Sequence, residues 1–562
     1  MTIRVWILAL LCGMLANASG CVSSGSAVWR TPPIPPAVAL TEGGAEVALA
    51  EASFAERMGQ ADATDQYFNA AMLAWQEIST ECAEGQSPSP RLQTIYSSAV
   101  DRWLETARHY GRWIPGRGID VCTAERRILI PISPTGFVWE IEEFEELHPI
   151  GDYCSPSISH YHRREGLGSP IVVRKCSRTL LRPGDRFLPP HNSFSATAIL
   201  RPAANNGMEG PPAVLELWNP QSAQAIPGPT GLTCLGADTS AVFAFRELHL
   251  ESVPSPLEMF KRPDEHHEFE GLYFLEPYQP GKIPVIFIHG LMSSPRTWID
   301  MVNELNSDPE FNARYQVWGF HYATGKNFLG AAAELRHALC EVEAELSVYG
   351  EDPSRQQIVL IGHSMGGLVA KMQVTCSGNH LWDAIANVPF EQVQMSNPAR
   401  QQFAKTLFFE PLPQVRRVIF IGTPHRGSAL ANRLSGRWGS SLVRRSPVEQ
   451  VMHRESVRAN PGVFRWSVCW RLPTSVDMLE PDHPLARAVD ELPLSQSVMV
   501  HTIAGAGYLT SGLETGDRVV PLSSAVHANA HSELQVKAKH THIHRSAEAV
   551  GEIRRILAHH PH

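Results

Sequence analysis

Apolar positions along this chain fall into three textures. From about Ala45 to Trp113 they recur at helical spacing. Small residues dominate there, in Ala61-Asp62-Ala63 and in Tyr67 to Trp75, and a second stretch, Leu92 to Tyr110, places Ile95, Val100, Trp103, Leu104 and Ala107 on roughly one side. From Ile128 to Val253 the runs shorten. Ile128–Ile130, Ile171–Val173, Phe194–Leu200, Ala213–Leu217 and Ala241–Phe245 sit between proline- and glycine-rich turns and predict strands. From about Gly281, strand-length runs alternate with helical ones. The strand candidates are Val285–Ile288, Val317–Tyr322, Ile358–Ile361, Val418–Ile421, Val498–Ile503 and Leu534–Val536, and Asn327–Tyr349 is the clearest helix. Such alternation predicts an α/β fold, a doubly wound and mainly parallel sheet covered on both faces. Right-handed crossovers then bring the strand C-termini, with the loops that follow them, to one rim. The chain divides accordingly into a helical subdomain (45–120), a β-rich accessory domain (121–280) and the α/β domain (281–562).

Length and charge narrow the picture further. With 562 residues, 43% hydrophobic and 19% charged, the chain is globular and too long for one ordinary core. A net charge of -9 without any long basic run argues against nucleic acid as a partner. At the N-terminus, Arg4 precedes an apolar run, Val5 to Ala16, too short to span a bilayer and suited to a signal-peptide core over residues 1–20. Ala18-Ser19-Gly20-Cys21 resembles a bacterial lipobox with alanine in the usual leucine position. That resemblance implies cleavage before Cys21, acylation of its thiol and attachment to the bacterial cell envelope. Residues 21–44 then read as a tether. In that oxidising compartment Cys82, Cys122, Cys154, Cys176 and Cys234 could supply disulfides, with connectivity left open by spacing.

The chemistry concentrates in Gln356–Cys376, where a β-branched run leads into Gly362-His363-Ser364-Met365-Gly366 and then a helix-compatible segment. Strand, G-x-S-x-G and helix describe a nucleophile elbow. The pentapeptide alone is weak, because a chain this long yields roughly 0.2 chance matches. Its context and partners strengthen it. His289-Gly290-Leu291 follows a strand where a first oxyanion donor belongs, so the amides of Leu291 and Met365 are the candidate pair. Gly516-Asp517-Arg518-Val519-Val520-Pro521 offers an acid in the order Ser, Asp, His, with Asp477 and Asp482 as rivals. Past the last strand, His540, His542 and His544 compete for the base, and their spacing also admits a metal site. Glu265-His266-His267-Glu268 reads as a solvated linker.

Taken together, HGL at 289–291, GHSMGG at 362–367, TPHRGS at 423–428, GDRVVP at 516–521 and KHTHI at 539–543 resemble the α/β-hydrolase superfamily in its lipase/esterase branch. The resemblance covers about 281–562 and implies Ser364 as nucleophile, Asp517 as acid and His540 as base, with no cofactor and no metal. His540 is preferred by its distance to the closing helix. Arg518, where many relatives carry glycine, could narrow the acid loop. Insertions at 377–413 and 429–473, rich in aromatic residues, are expected to cap the site and favour a hydrophobic ester or lipid. The expected activity is carboxylic ester hydrolysis through an acyl-enzyme. A thioesterase or phospholipase acting on envelope lipids is the alternative within the class. Outside it stands a non-catalytic scaffold whose N-terminal helical and β regions engage a protein partner.

Overall fold

A computed structural model describes residues 44–561, except 123–125, 152–154, 176–181, 190–191, 204–210, 250–252, 429–442, 445–446 and 471–472. The expected signal peptide, Cys21 and the tether up to residue 43 lie outside the described residues, as do Cys154, Cys176 and Trp438. Among the described residues no disulfide joins Cys82, Cys122 or Cys234. None of the described helices is long and apolar enough to cross a membrane.

Three helices come first, α1 (Gly44–Arg57), α2 (Ala63–Ala83) and α3 (Pro90–His109). The side chain of Ser89 accepts from Leu92 N, and Pro90 fills the first turn, so α3 begins where both signals agree. Among the described residues, seven strands of a first sheet follow: β1 (Trp113–Ile114), β2 (Gly118–Cys122), β3 (Arg127–Thr135), β4 (Glu146–Pro149), β5 (Ser169–Lys175), β6 (Asn192–Pro202) and β7 (Ala213–Trp218). They form one sheet in the order β1-β2-β3-β7-β6-β5-β4, antiparallel except where β3 meets β7. Helices and sheet share one apolar cluster, in which Tyr67, Tyr96 and Trp103 pack with Ile130, Val173, Leu200 and Leu215. Tyr96 pins the join, since its hydroxyl donates to Leu200 O at 2.9 Å and accepts from Leu200 N at 2.8 Å.

The run Ala241–Phe245, expected as a strand, is instead the start of α4 (Ala241–His249). Asp238 Oδ1 accepts from Ser240 N at 3.0 Å and Ala241 N at 2.8 Å, a cap that commits the chain to a helix. All five residues are buried, which erases the periodicity that would have revealed it. They pack with Val172 of the first sheet and with Val285 and Phe287 beyond it, so α4 links the two halves.

The second sheet has β8 (Gly271–Phe274), β9 (Ile283–Ile288), β10 (Tyr315–His321), β11 (Ile358–His363), β12 (Val415–Ile421), β13 (Met499–Gly505) and β14 (Ser532–Val536). Its order is β8-β10-β9-β11-β12-β13-β14. Every pairing is parallel except that of β8, an edge strand lying ahead of the boundary expected at 281. Side chains alternate strictly between the two faces. Ile286, Ile288, Leu360, Val418 and Phe420 join one core with α5 (Phe328–Leu346) and α6 (Met365–Lys371). Val285, Phe287, Val359, Ile361, Ile419 and Ile421 join the other with α7 (Ala547–Ala558). Much of the aromatic content of the two insertions is self-absorbed: Trp382 packs on Phe390, Phe403, Phe408 and Phe464 with ring centroids 4.9 to 6.4 Å apart.

Candidate active site

Ser364 lies at the junction of β11 and α6 with φ +55° and ψ −126°, a conformation that L residues adopt only when their surroundings impose it. The surroundings are explicit. Ser364 N donates to Ile421 O of the neighbouring strand at 2.8 Å. A Cβ on Gly366 would stand 2.3 Å from Ile288 O, so only glycine lets the first turn of α6 sit against β9. A Cβ on Gly290 would lie 2.8 Å from the Cβ of Ser364, which puts the His289-Gly290-Leu291 loop directly on the serine. Met365 opens α6 with its side chain fully buried, and the amide after Leu291, that of Met292, is bound by Thr324 Oγ1 at 3.1 Å.

Two further loops converge on this serine. After β14, a short helical turn over His540–Arg545 carries His540. The His540 Nε2 atom lies 2.8 Å from Ser364 Oγ, and Nδ1 lies 2.7 Å from Asp517 Oδ2. Asp517 is fully buried, and its other oxygen, Oδ1, accepts from Val519 N at 2.9 Å and Val520 N at 2.7 Å. The backbone adds a second tie, His540 N donating to Asp517 O at 3.0 Å. A carboxylate acceptor makes Nδ1 the protonated nitrogen, which leaves the lone pair of Nε2 facing the serine hydroxyl. The arrangement can withdraw a proton from Ser364 Oγ and return it.

Residues 285–552 match the family model described as the alpha/beta hydrolase family. The C-terminal half has the α/β-hydrolase fold. Comparison with curated proteins finds no match. Among solved structures, a Bacillus licheniformis lipase in mature form is 18% identical, covering 51% of this chain and 97% of its own, with a TM-score of 0.32. Lipase 1 from Pelosinus fermentans is 13% identical over 50% of this chain and 99% of its own, at 0.30. A Staphylococcus hyicus lipase is 13% identical over 50% and 96%, at 0.29.

The other candidates of the hydrolase domain have different occupations. His542 is exposed, with its Nδ1 2.9 Å from the neighbouring Thr541 Oγ1, while His544 is buried with Nε2 2.9 Å from Thr297 Oγ1. The three imidazoles therefore do not converge on one point. His289 spends both nitrogens on backbone, Nδ1 donating to Gly290 O at 3.1 Å and Nε2 accepting from Tyr322 N at 3.4 Å. Asp477 caps its own short helix through Thr474, and Asp482 pairs with Arg487 at the surface. Arg518 stands in the acid loop, directly after Asp517. It takes φ +82° and turns its exposed guanidinium over the ring of Tyr508, 5.0 Å from the centroid. One contributor escaped the sequence reading: His363, buried inside the motif, donates from Nε2 to His540 O at 3.0 Å. Burial, then the neighbouring His540, push its pKa down to about 3, so the ring stays neutral and holds the backbone of the facing histidine. Its signal was its place, an ionisable residue at the buried end of a core strand.

Proposed function

We propose that this chain is a serine hydrolase that cleaves carboxylic esters through an acyl-enzyme intermediate. Ser364 Oγ attacks the acyl carbon while His540 Nε2 takes its proton, and Asp517 holds the resulting imidazolium. The amides of Leu291 and Met365 receive the oxyanion, at about 3 kcal/mol each in the transition state. His540 then protonates the leaving alkoxide, and water repeats the sequence to free the acid and the serine. The single observation that carries this reading is the unbroken line from Ser364 Oγ through His540 to Asp517, at 2.8 and 2.7 Å, in a domain of the α/β-hydrolase family.

The proposed substrate is a hydrophobic ester or lipid, supported by the aromatic-rich insertions, one of which packs Val443 on the cluster that holds Leu291 and Met292. Attachment to a bacterial cell envelope through acylated Cys21 belongs to the same reading and rests on the lipobox-like sequence alone. The test is covalent. A fluorophosphonate probe should label the wild-type chain and leave Ser364→Ala unlabelled, and turnover of acyl esters of increasing length should reveal the preferred acyl group. Absence of labelling in the folded wild-type protein would return the chain to a scaffold role, and faster turnover of thioesters than of oxygen esters would favour the thioesterase alternative.

A further inference from the structure

The insertion at 429–473 holds eight arginines against two carboxylates, Glu449 and Glu455, a balance of +6 in a chain whose net charge is -9. Its described part contains α8 (Pro447–Ala459), followed by a short turn over Trp466–Cys469. The inner face of α8 buries His453, Ser456 and Asn460 is buried just beyond it, while the outer face exposes Val448, Val451, Arg454 and Arg458. His453 Nε2 donates to Val468 O at 2.6 Å and so clips the short turn onto α8. That turn leaves Trp466 78% and Trp470 73% exposed, with the two indoles edge-on at 5.2 Å and Arg465 exposed beside them. The insertion also reaches the active site. Val443 is buried against Phe260 and Val476, with Leu291 and Met292 packed on the same cluster.

Two large indoles left in water cost solvation that nothing within the described residues recovers. Indole rings settle at the headgroup level of a bilayer, and arginine forks pair with phosphate, so the two residue types together suit one kind of surface. An acidic protein is repelled by anionic lipid everywhere except at such a cationic segment, which therefore also sets orientation. We propose that Arg454, Arg458, Arg465, Trp466 and Trp470 form a docking surface for an anionic lipid bilayer. Docked there, the oxyanion loop around Leu291 is held close to the membrane by the packing of Val443. The inference goes beyond ester hydrolysis, and it is read by binding rather than by turnover.

The experiment uses the full chain with Cys21→Ser, so that no acyl chain contributes, sedimented with vesicles of phosphatidylglycerol or of phosphatidylcholine. Binding is expected on phosphatidylglycerol, at least about tenfold weaker on phosphatidylcholine, and weakened again at high salt. The triple variant R454E/R458E/R465E and the double variant W466A/W470A should each lose about tenfold or more on phosphatidylglycerol. Both should keep fluorophosphonate labelling and cleavage of a soluble short-chain ester, and the single variant W470A, at an exposed position, serves should either unfold. Unchanged binding in these variants would overturn the proposal, as would equal binding to the two lipids. A lipid-free dimer that the tryptophan substitutions abolish would reassign the surface to a second copy of the chain.

Discussion

Both halves of this chain are built on a seven-stranded sheet, yet they use their ionisable groups in opposite ways. In the C-terminal sheet, parallel pairing with crossovers frees the C-terminal end of each strand to carry a loop. Ser364 leaves β11, Asp517 follows β13, His540 follows β14, and the histidine joins the other two in one line. In the mixed N-terminal sheet, hairpins return the chain along its neighbours, and the charges are consumed where they lie. Glu143, buried, binds Lys175, Arg182 at 2.7 Å and Glu140 N at 2.8 Å, and Asp101 is bound by Ser169. Such a set holds loops together. The contrast separates groups that are aligned from groups that cancel.

Three substitutions or titrations would break or sharpen that contrast. The largest effect is expected at the acid. Asp517→Asn should lower kcat by about 10⁴ through loss of the His540 tautomer, with the folded structure kept. Steady-state kinetics beside a thermal melt measure it, and near-normal turnover would mean that the aligned set includes another carboxylate. Next, Glu143→Gln takes the counter-charge from buried Lys175, although Arg182 keeps Asp185 at 3.2 Å, and should cost about 3 kcal/mol of stability. Denaturant unfolding gives that number, and kcat should not move; a loss of turnover at full stability would show that the N-terminal network reaches the active site.

The smallest effect is graded with pH and runs in opposite directions in the two halves. His363 is held at about 3 in the fold by burial and by His540, against an ordinary 6.5. The unfolded chain therefore binds a proton that the native ring refuses, and stability present above pH 6.5 is lost as pH falls toward 3, by at most about 1.4 kcal/mol per pH unit. Asp101 is raised by burial from 3.8 to about 7, with the Ser169 hydroxyl opposing. Its contribution is complete below pH 3.8 and is lost as pH rises through 7. Hydrogen exchange followed in each half from pH 4 to 8 should show the C-terminal core loosening in acid and the contacts around α3 loosening in base. One common trend would erase the distinction.

The sequence made the active half legible because its strands are continuous apolar runs, such as Val285–Ile288 and Ile358–Ile361, and because its motifs follow those strands directly. Among His540, His542 and His544 only the family-like distance to the closing helix favours His540, and the short helical turn aims that ring at Ser364 and the other two elsewhere. His363 was passed over for a related reason. Its role lies in a hydrogen bond to a carbonyl 177 residues away, which no local pattern encodes. The N-terminal half was legible by element but not by assembly. Tyr96 and Leu200 are 104 positions apart, and contacts at that separation, which no local pattern encodes, join helices and sheet in one core. Ala241–Phe245 misled because a fully buried helix start and a buried strand look alike when every residue is apolar.

The strand β8 carries a practical consequence for anyone trimming this protein. Among the described residues it is the only antiparallel member of its sheet, and its backbone pairs Gly271–Phe274 with Trp318–His321 while Phe274 stacks on Trp318 at 4.2 Å. A version cut at residue 281 would keep Ser364, Asp517 and His540. It would also bare a hydrogen-bonding border flanked by large aromatic rings, the kind of raw edge on which molecules zip together and precipitate. The serviceable cut lies ahead of Gly271.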